Sequence, residues 1–163
     1  MTIKMMITGG TFDKEYNELT GELIFKDTHV PEILKLGRSR LDIKIKKIML
    51  VDSTNIKGSD MQTILEHCKK SKEEKVVVIH GTDNMVDTAK FLGKSVKNKT
   101  IVITGALRPY AFGNSDGSFN LGSALAFVQT LPHGVYISMH GKFFNCDNVR
   151  KNKQTGDFEE IIK

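Results

Sequence analysis

Apolar residues in this chain fall into short runs, and longer stretches with one apolar face lie between them. The first run, Ile3 to Thr8, stops at Gly9-Gly10 and reads as a strand. Residues 12 to 26, FDKEYNELTGELIFK, alternate apolar and polar positions around Thr20-Gly21, which predicts an exposed hairpin. Pro31 to Leu36 suits a short helix with proline near its start and Gly37 at its end. Lys46 to Val51 predicts a strand, broken by the polar Asp52-Ser53-Thr54-Asn55. From Ser59 to Lys70 the apolar Met61, Ile64, Leu65 and Cys68 recur at helical spacing. Val76 to Ile79 is unbroken β-branched sequence, the pattern of a strand buried on both faces. A helix from Met85 to Leu92, a strand from Thr100 to Ile103 and a helix from Phe119 to Val128 follow. Val135 to Met139 and Lys142 to Cys146 predict a last pair of strands, with Gly141 at the turn. Met5, Met6 and Met61 read as core filler.

Buried strands separated by helices predict an α/β fold: a three-layer, doubly wound, mainly parallel sheet with helices on both faces, plus the N-terminal β-hairpin. All 163 residues are expected to form one domain. Ligands of such sheets bind beyond the carboxyl ends of the strands. The polar clusters of this chain follow strands: Thr11, then Asp52 to Asn55, then His80-Gly81-Thr82-Asp83, then Gly105 to Pro109. Parallel neighbouring strands would bring all four to one crevice.

Composition narrows the partners. Hydrophobic residues make up 39% and charged residues 26%, ordinary for a soluble globular protein. The net charge of +5 comes from lysines spread along helical faces, with no basic run of five and no aromatic interleaving, so a nucleic-acid role is not suggested. Cys68 and Cys146 fit no metal or redox spacing, and the five histidines do not cluster. No stretch resembles a signal peptide or a membrane span, so a reduced, cytoplasmic location without membrane contact is expected.

Thr11, directly after the first strand, invites three readings: part of a phosphate loop, a nucleophile, or a turn residue. ITGGTFDK has neither the spacing of a P-loop nor G-x-G-x-x-G, and a hairpin rather than a helix follows it. A threonine nucleophile needs an activating group. Thr82-Asp83 offers one if a lysine lies nearby, although by themselves these residues read first as caps of the following helix. Asp52 to Asn55 suits either a polar turn or the ends of a small zwitterion. Ser115-Asp116-Gly117 reads as a helix cap, His80 as a packed histidine, and Lys151 as part of a solvated basic stretch, VRKNKQTGDFE.

Taken in order, TGGTFDK, VDSTN, IHGTDNMVDTAKFL, ITGALRPY, SDGSFNLGSAL and the HGKFF…NVRKNK segment resemble the L-asparaginase family along almost the whole chain. HGTD followed by M-x-x-T-A-x-F-L is the most specific part, with G-G-T after the first strand. The resemblance is to the N-terminal, catalytic domain, and most to the short, single-domain asparaginases. It implies hydrolysis of the side-chain amide of L-asparagine to L-aspartate and ammonia, with no metal and no organic cofactor. By this resemblance Thr11 matches the nucleophile. Thr82 and Asp83 match the second threonine and its aspartate, and Lys151 the lysine completing that group, with Lys153 as the fallback. Ser53 matches the residue holding the substrate α-carboxylate, beside Thr54. Gly10 and the Ala106 backbone fall among the substrate contacts, and Tyr16 is the candidate tyrosine that activates the first threonine.

Two departures bear on binding. Thr54 stands where many two-domain members have glutamine. Two-domain members also complete each site with an acidic residue from a neighbouring C-terminal domain, which none of these 163 residues resembles. One missing charged contact costs about 1.5–3 kcal/mol, so a KM of ~1 mM or above is expected. The implied chemistry is a two-step acyl transfer: Thr11 attacks, Thr82–Lys151 or Tyr16 takes its proton, and backbone N–H groups at Gly10-Thr11 or near Thr82 hold the oxyanion. Asp83 would orient the substrate amine, and the hairpin would close over the site. Two other readings stand beside this one: an amino-acid-binding module without turnover, and an amidase of the same fold acting on glutamine or an aminoacyl-tRNA amide. Self-association to a homodimer or homotetramer is expected.

Overall fold

The computed structural model describes residues 1–162. The central strands arise where the sequence places its apolar runs: β1 (Thr2–Gly9), β5 (Lys75–Ile79), β6 (Thr100–Thr104) and β7 (Gly134–Met139). Their interior residues are almost wholly buried. They lie parallel in one six-stranded sheet with β4 (Asp42–Val51), and β8 (Lys142–Asn145) pairs antiparallel to β7 at the other edge. The order β4-β1-β5-β6-β7-β8 is doubly wound. The chain leaves β1 towards β4 and returns to β5 on β1's other side, so the topological switch point lies between the ends of β1 and β5.

Side-chain alternation divides the core in two. Val76 and Val78 join Met6, Ile101 and Ile103 on the face covered by α2 (Gly58–Lys70) and α3 (Met85–Ser95). Val77 and Ile79 join Ile3, Met5, Ile7 and Val102 on the face covered by α1 (Val30–Leu36) and α4 (Gly117–Thr130). The result is the three-layer α/β domain expected from the sequence.

The hairpin is present as β2 (Lys14–Asn17) and β3 (Glu22–Phe25), paired antiparallel apart from the main sheet. The β7–β8 turn is His140-Gly141, with both φ angles positive (53° and 80°), the two-residue geometry that matches strand twist.

Three expectations need correction. The strand expected from Lys46 begins four residues earlier, at Asp42, because edge strand β4 alternates lysines with isoleucines and so lacks an apolar run. Met61 is only partly covered at the start of α2, not core; Ile64, Leu65 and Cys68 carry that helix's buried face. Lys151 is not in a solvated tail. It belongs to β9 (Arg150–Lys151), which pairs with β10 (Phe158–Glu159), and buried Phe158 pins this small ladder to the core.

Candidate active site

The loops after β4, β1, β5 and β6 meet at the switch point because glycines let their backbones touch. A Cβ on Gly10 would stand 2.3 Å from the Gly81 Cα, and one on Gly81 2.3 Å from the Ser53 Cβ. A Cβ on Gly105 would stand 2.2 Å from the His80 carbonyl oxygen. Gly10 also has φ +77°, a conformation that disfavours L side chains. No bulkier residue fits between these loops.

At this junction Lys151 comes from β9 to the loop after β5, 69 residues away along the chain. Its Nζ donates to Thr82 Oγ1 at 2.9 Å and to Asp83 Oδ1 at 2.7 Å. The other Asp83 oxygen accepts from Ser53 Oγ at 3.4 Å, and the Asp83 N–H donates back to Ser53 Oγ at 3.3 Å. Thr82 and Ser53 are buried, whereas the Asp83 side chain is half exposed. Neither Thr82 nor Asp83 caps α3. Asn84 holds the cap position, and its side chain donates instead to the Ser53 carbonyl. Lys153 is exposed, so Lys151 is the lysine that meets Thr82.

Thr11 opens a single 3-10 turn (Thr11–Asp13) next to the Gly10–Gly81 contact and is partly exposed. Its hydroxyl makes no hydrogen bond among the described residues. The Gly10 N–H donates to the Val51 carbonyl at 2.9 Å, so it is not free for an oxyanion. Tyr16 is 58% exposed on the hairpin, and a Cβ on Gly21 would stand 3.9 Å from its hydroxyl oxygen. In this conformation Tyr16 lies against the hairpin turn and makes no bond to Thr11. Thr54 is engaged by Asp52, whose Oδ1 accepts the Thr54 N–H at 3.2 Å and hydroxyl at 3.1 Å. Ala106 is fully buried in the loop after β6.

The hairpin is tied at its base. Lys14 forms an ion pair with Asp52. Burial pushes the Asp52 carboxyl up, but Lys14 and the Thr54 N–H outweigh it and hold it below the usual carboxylate range. Asp13, buried, accepts the Thr28 hydroxyl at 3.0 Å and the His29 N–H at 2.9 Å, which joins the two ends of the hairpin. Here burial wins and raises the carboxyl above its usual range.

His80 is fully buried, with Nδ1 at 2.7 Å from the Gly81 carbonyl and Nε2 at 3.1 Å from Thr88 Oγ1. The Gly81 carbonyl can only accept, so Nδ1 carries the proton and the neutral ring fixes the loop bearing Thr82. Burial, partly opposed by the Gly81 bond, depresses its pKa below 6.5. The unfolded chain therefore takes up a proton as pH falls through ~6.5 while the native ring stays neutral. Stability from this site is full above that pH and falls by about 1.4 kcal/mol per pH unit below it, until the native ring titrates. Urea unfolding between pH 7.5 and 5.5 should show this loss in the wild type and a flatter profile in His80→Gln. Equal profiles would contradict it.

Among the described residues no group of three His, Cys, Asp or Glu side chains could hold a metal ion. Among the described residues no helix is long and apolar enough to cross a membrane.

Comparison with known proteins gives the family of the chain. The family described as "Asparaginase, N-terminal" matches residues 2–158. The L-asparaginase of Thermococcus kodakarensis is 29% identical over 96% of this chain and 49% of its own length. Its solved structure superposes with a TM-score of 0.88, covering 100% of this chain and 52% of that one. L-asparaginase 1 of Escherichia coli is 30% identical over 94% of this chain and 47% of its own. A component of the glutamyl-tRNA(Gln) amidotransferase of Sulfurisphaera tokodaii is 32% identical over 86% of this chain and 33% of its own. The chain thus spans half or less of the length of these curated relatives. With the match extending over nearly every residue, the chain belongs to the asparaginase family and corresponds to its N-terminal domain.

Proposed function

We propose that this chain carries the catalytic centre of an L-asparagine amidohydrolase, with Thr11 as nucleophile. The observation that carries the reading is the Lys151–Thr82–Asp83 group beside Thr11 across the Gly10–Gly81 contact. With Lys151 Nζ as the neutral amine, Thr82 can relay a proton: its own hydroxyl proton passes to Nζ while Oγ1 takes one from a neighbouring hydroxyl or water, leaving an ammonium paired with Asp83. Thr11 is a partly exposed hydroxyl at the crevice with no competing partner among the described residues. In the first half-reaction Thr11 Oγ1 attacks the amide carbon, its proton passes through the Thr82 hydroxyl to the neutral Lys151 amine, and the resulting ammonium returns a proton to the nitrogen that leaves as ammonia. In the second, water attacks the acyl-threonine by the same route and frees L-aspartate. With Gly10 N–H occupied, the Thr11 and Thr82 N–H groups are the backbone donors left for the oxyanion, each worth ~3–4 kcal/mol.

Ser53 would take the substrate α-carboxylate and Asp83 its amine. Both Asp83 oxygens already have partners, so the amine must share that carboxylate with Lys151, which fits the weak binding expected from the sequence. Tyr16 would reach Thr11 only if the hairpin moved over the crevice, and the exposed hairpin is held mainly at its base. The Sulfurisphaera relative, named for a glutamyl-tRNA amidotransferase, keeps a tRNA-linked amide as the second reading. Ammonia release from L-asparagine, L-glutamine and aminoacyl-tRNA distinguishes the two. Turnover of free asparagine supports the first, and turnover of the tRNA amide alone supports the second.

A further inference from the structure

Asp116 stands at the N-terminal cap position of α4, yet its side chain caps nothing there. It turns back to the loop after β6. Oδ1 and Oδ2 each accept the Leu107 N–H at 3.0 Å, and Oδ1 also accepts the Arg108 N–H at 3.0 Å. One turn into α4, Asn120 is fully buried and joins the same loop. Its Nδ2 donates to the Gly105 carbonyl at 2.9 Å and to Asp116 Oδ2 at 2.8 Å, and its Oδ1 accepts the His140 N–H at 2.9 Å. Both Asn120 amide protons and its oxygen are used, so the side chain has a single orientation. A flipped amide would set oxygen against the Gly105 and Asp116 oxygens. Ser115 Oγ adds a bond to the Arg108 carbonyl at 2.6 Å.

Ala106 therefore sits in a span whose flanking groups, the Gly105 carbonyl and the Leu107 and Arg108 amides, are all held from the start of α4. The same helix start also touches the Thr11 turn. A Cβ on Gly117 would stand 3.1 Å from the ring of Phe12, the residue after Thr11. The start of α4 thus contacts both the Thr11 turn and the Gly105–Arg108 loop.

We propose that Asp116 and Asn120 are positioning residues that hold the Gly105–Arg108 loop, and with it the Ala106 backbone, against the amide being cleaved. This inference rests on the amidohydrolase reading above. A loop released by an ångström costs on the order of 100-fold in rate through lost alignment. Asp116→Ala leaves the Leu107 and Arg108 amides without a protein acceptor. Asp116→Asn keeps one oxygen able to take both, while its NH2 faces Asn120 Nδ2, so it restores the loop only in part.

The test is steady-state asparagine turnover per folded molecule, together with amide hydrogen exchange at Leu107 and Arg108, for wild type and both variants. The expected result is faster exchange at these amides in Asp116→Ala, kcat lower by roughly 100-fold with KM little changed, and partial recovery of both in Asp116→Asn. Unchanged exchange, or a folded Asp116→Ala protein with wild-type kcat, overturns the positioning role while leaving the amidohydrolase reading intact. A folded wild type that releases no ammonia overturns that reading, and the role with it.

Discussion

Replacing Thr11 with alanine should abolish asparagine turnover, lowering kcat ~10,000-fold or more, while the protein keeps its fold. The loss has the size expected when a nucleophile is removed and only binding and oxyanion contacts remain. The fold should survive because Thr11 is partly exposed and its hydroxyl has no hydrogen-bond partner among the described residues. Its deletion belongs with surface substitutions, within about 0.5 kcal/mol. The neighbours differ: Phe12 and Asp13 are fully buried, and changes there would confound stability with chemistry. Circular dichroism and urea unfolding beside the ammonia assay separate the two effects. If Thr11→Ala keeps wild-type turnover, the nucleophile lies elsewhere, and Thr82 is the next hydroxyl in the crevice.

Lys151→Met should lower kcat by roughly 100- to 10,000-fold, the range for loss of an acid–base group. Methionine retains most of the aliphatic stem and removes the donor to Thr82 and Asp83. Thr82 then has no amine to take its hydroxyl proton, and the relay from Thr11 stops. Stability should change little, because Asp83 is half exposed and an ion pair with an exposed partner contributes about 0–1 kcal/mol. KM is expected to improve or stay constant, since Asp83 is freed for the substrate amine. A Lys151→Met enzyme with unchanged kcat and a raised KM would assign Lys151 to binding and remove it from proton transfer.

The fold was legible wherever packing imposes a periodicity on sequence. Val76 to Ile79 and Thr100 to Ile103 are buried on both faces, and two-sided burial leaves an apolar run that cannot be confused with surface. The first half of β4 escaped notice because an edge strand protects itself with lysines, which read as loop. β9 and β10 have two residues each, too few to show alternation. With them went the local sign that Lys151 returns to the crevice. A signal was present: Asn152 and Gly156 flank a tight turn in which the Asn152 N–H donates to the Asp157 carbonyl and Gly156 has φ 82°.

The site was legible only in part, for a related reason. Threonine and aspartate before a helix are common caps, so Thr82-Asp83 carries little information until a distant lysine is known to point at it. Asp116 misled in the same way. It occupies a cap position in sequence, while its hydrogen bonds run to Leu107 and Arg108. In both cases the partner comes from a different loop, and a pattern read along one segment cannot show it. The convergence of four loops, by contrast, followed from strand order alone, because a parallel sheet puts all its βα loops at one end.

A threonine-dependent amidohydrolase is tested most directly by ammonia release from the 163-residue protein as L-asparagine is raised through the millimolar range, with Thr11→Ala in parallel. The expected result is saturable release with a KM of ~1 mM or above, and none from the variant. A folded wild type that releases no ammonia from L-asparagine, or equal release from wild type and Thr11→Ala, would contradict it.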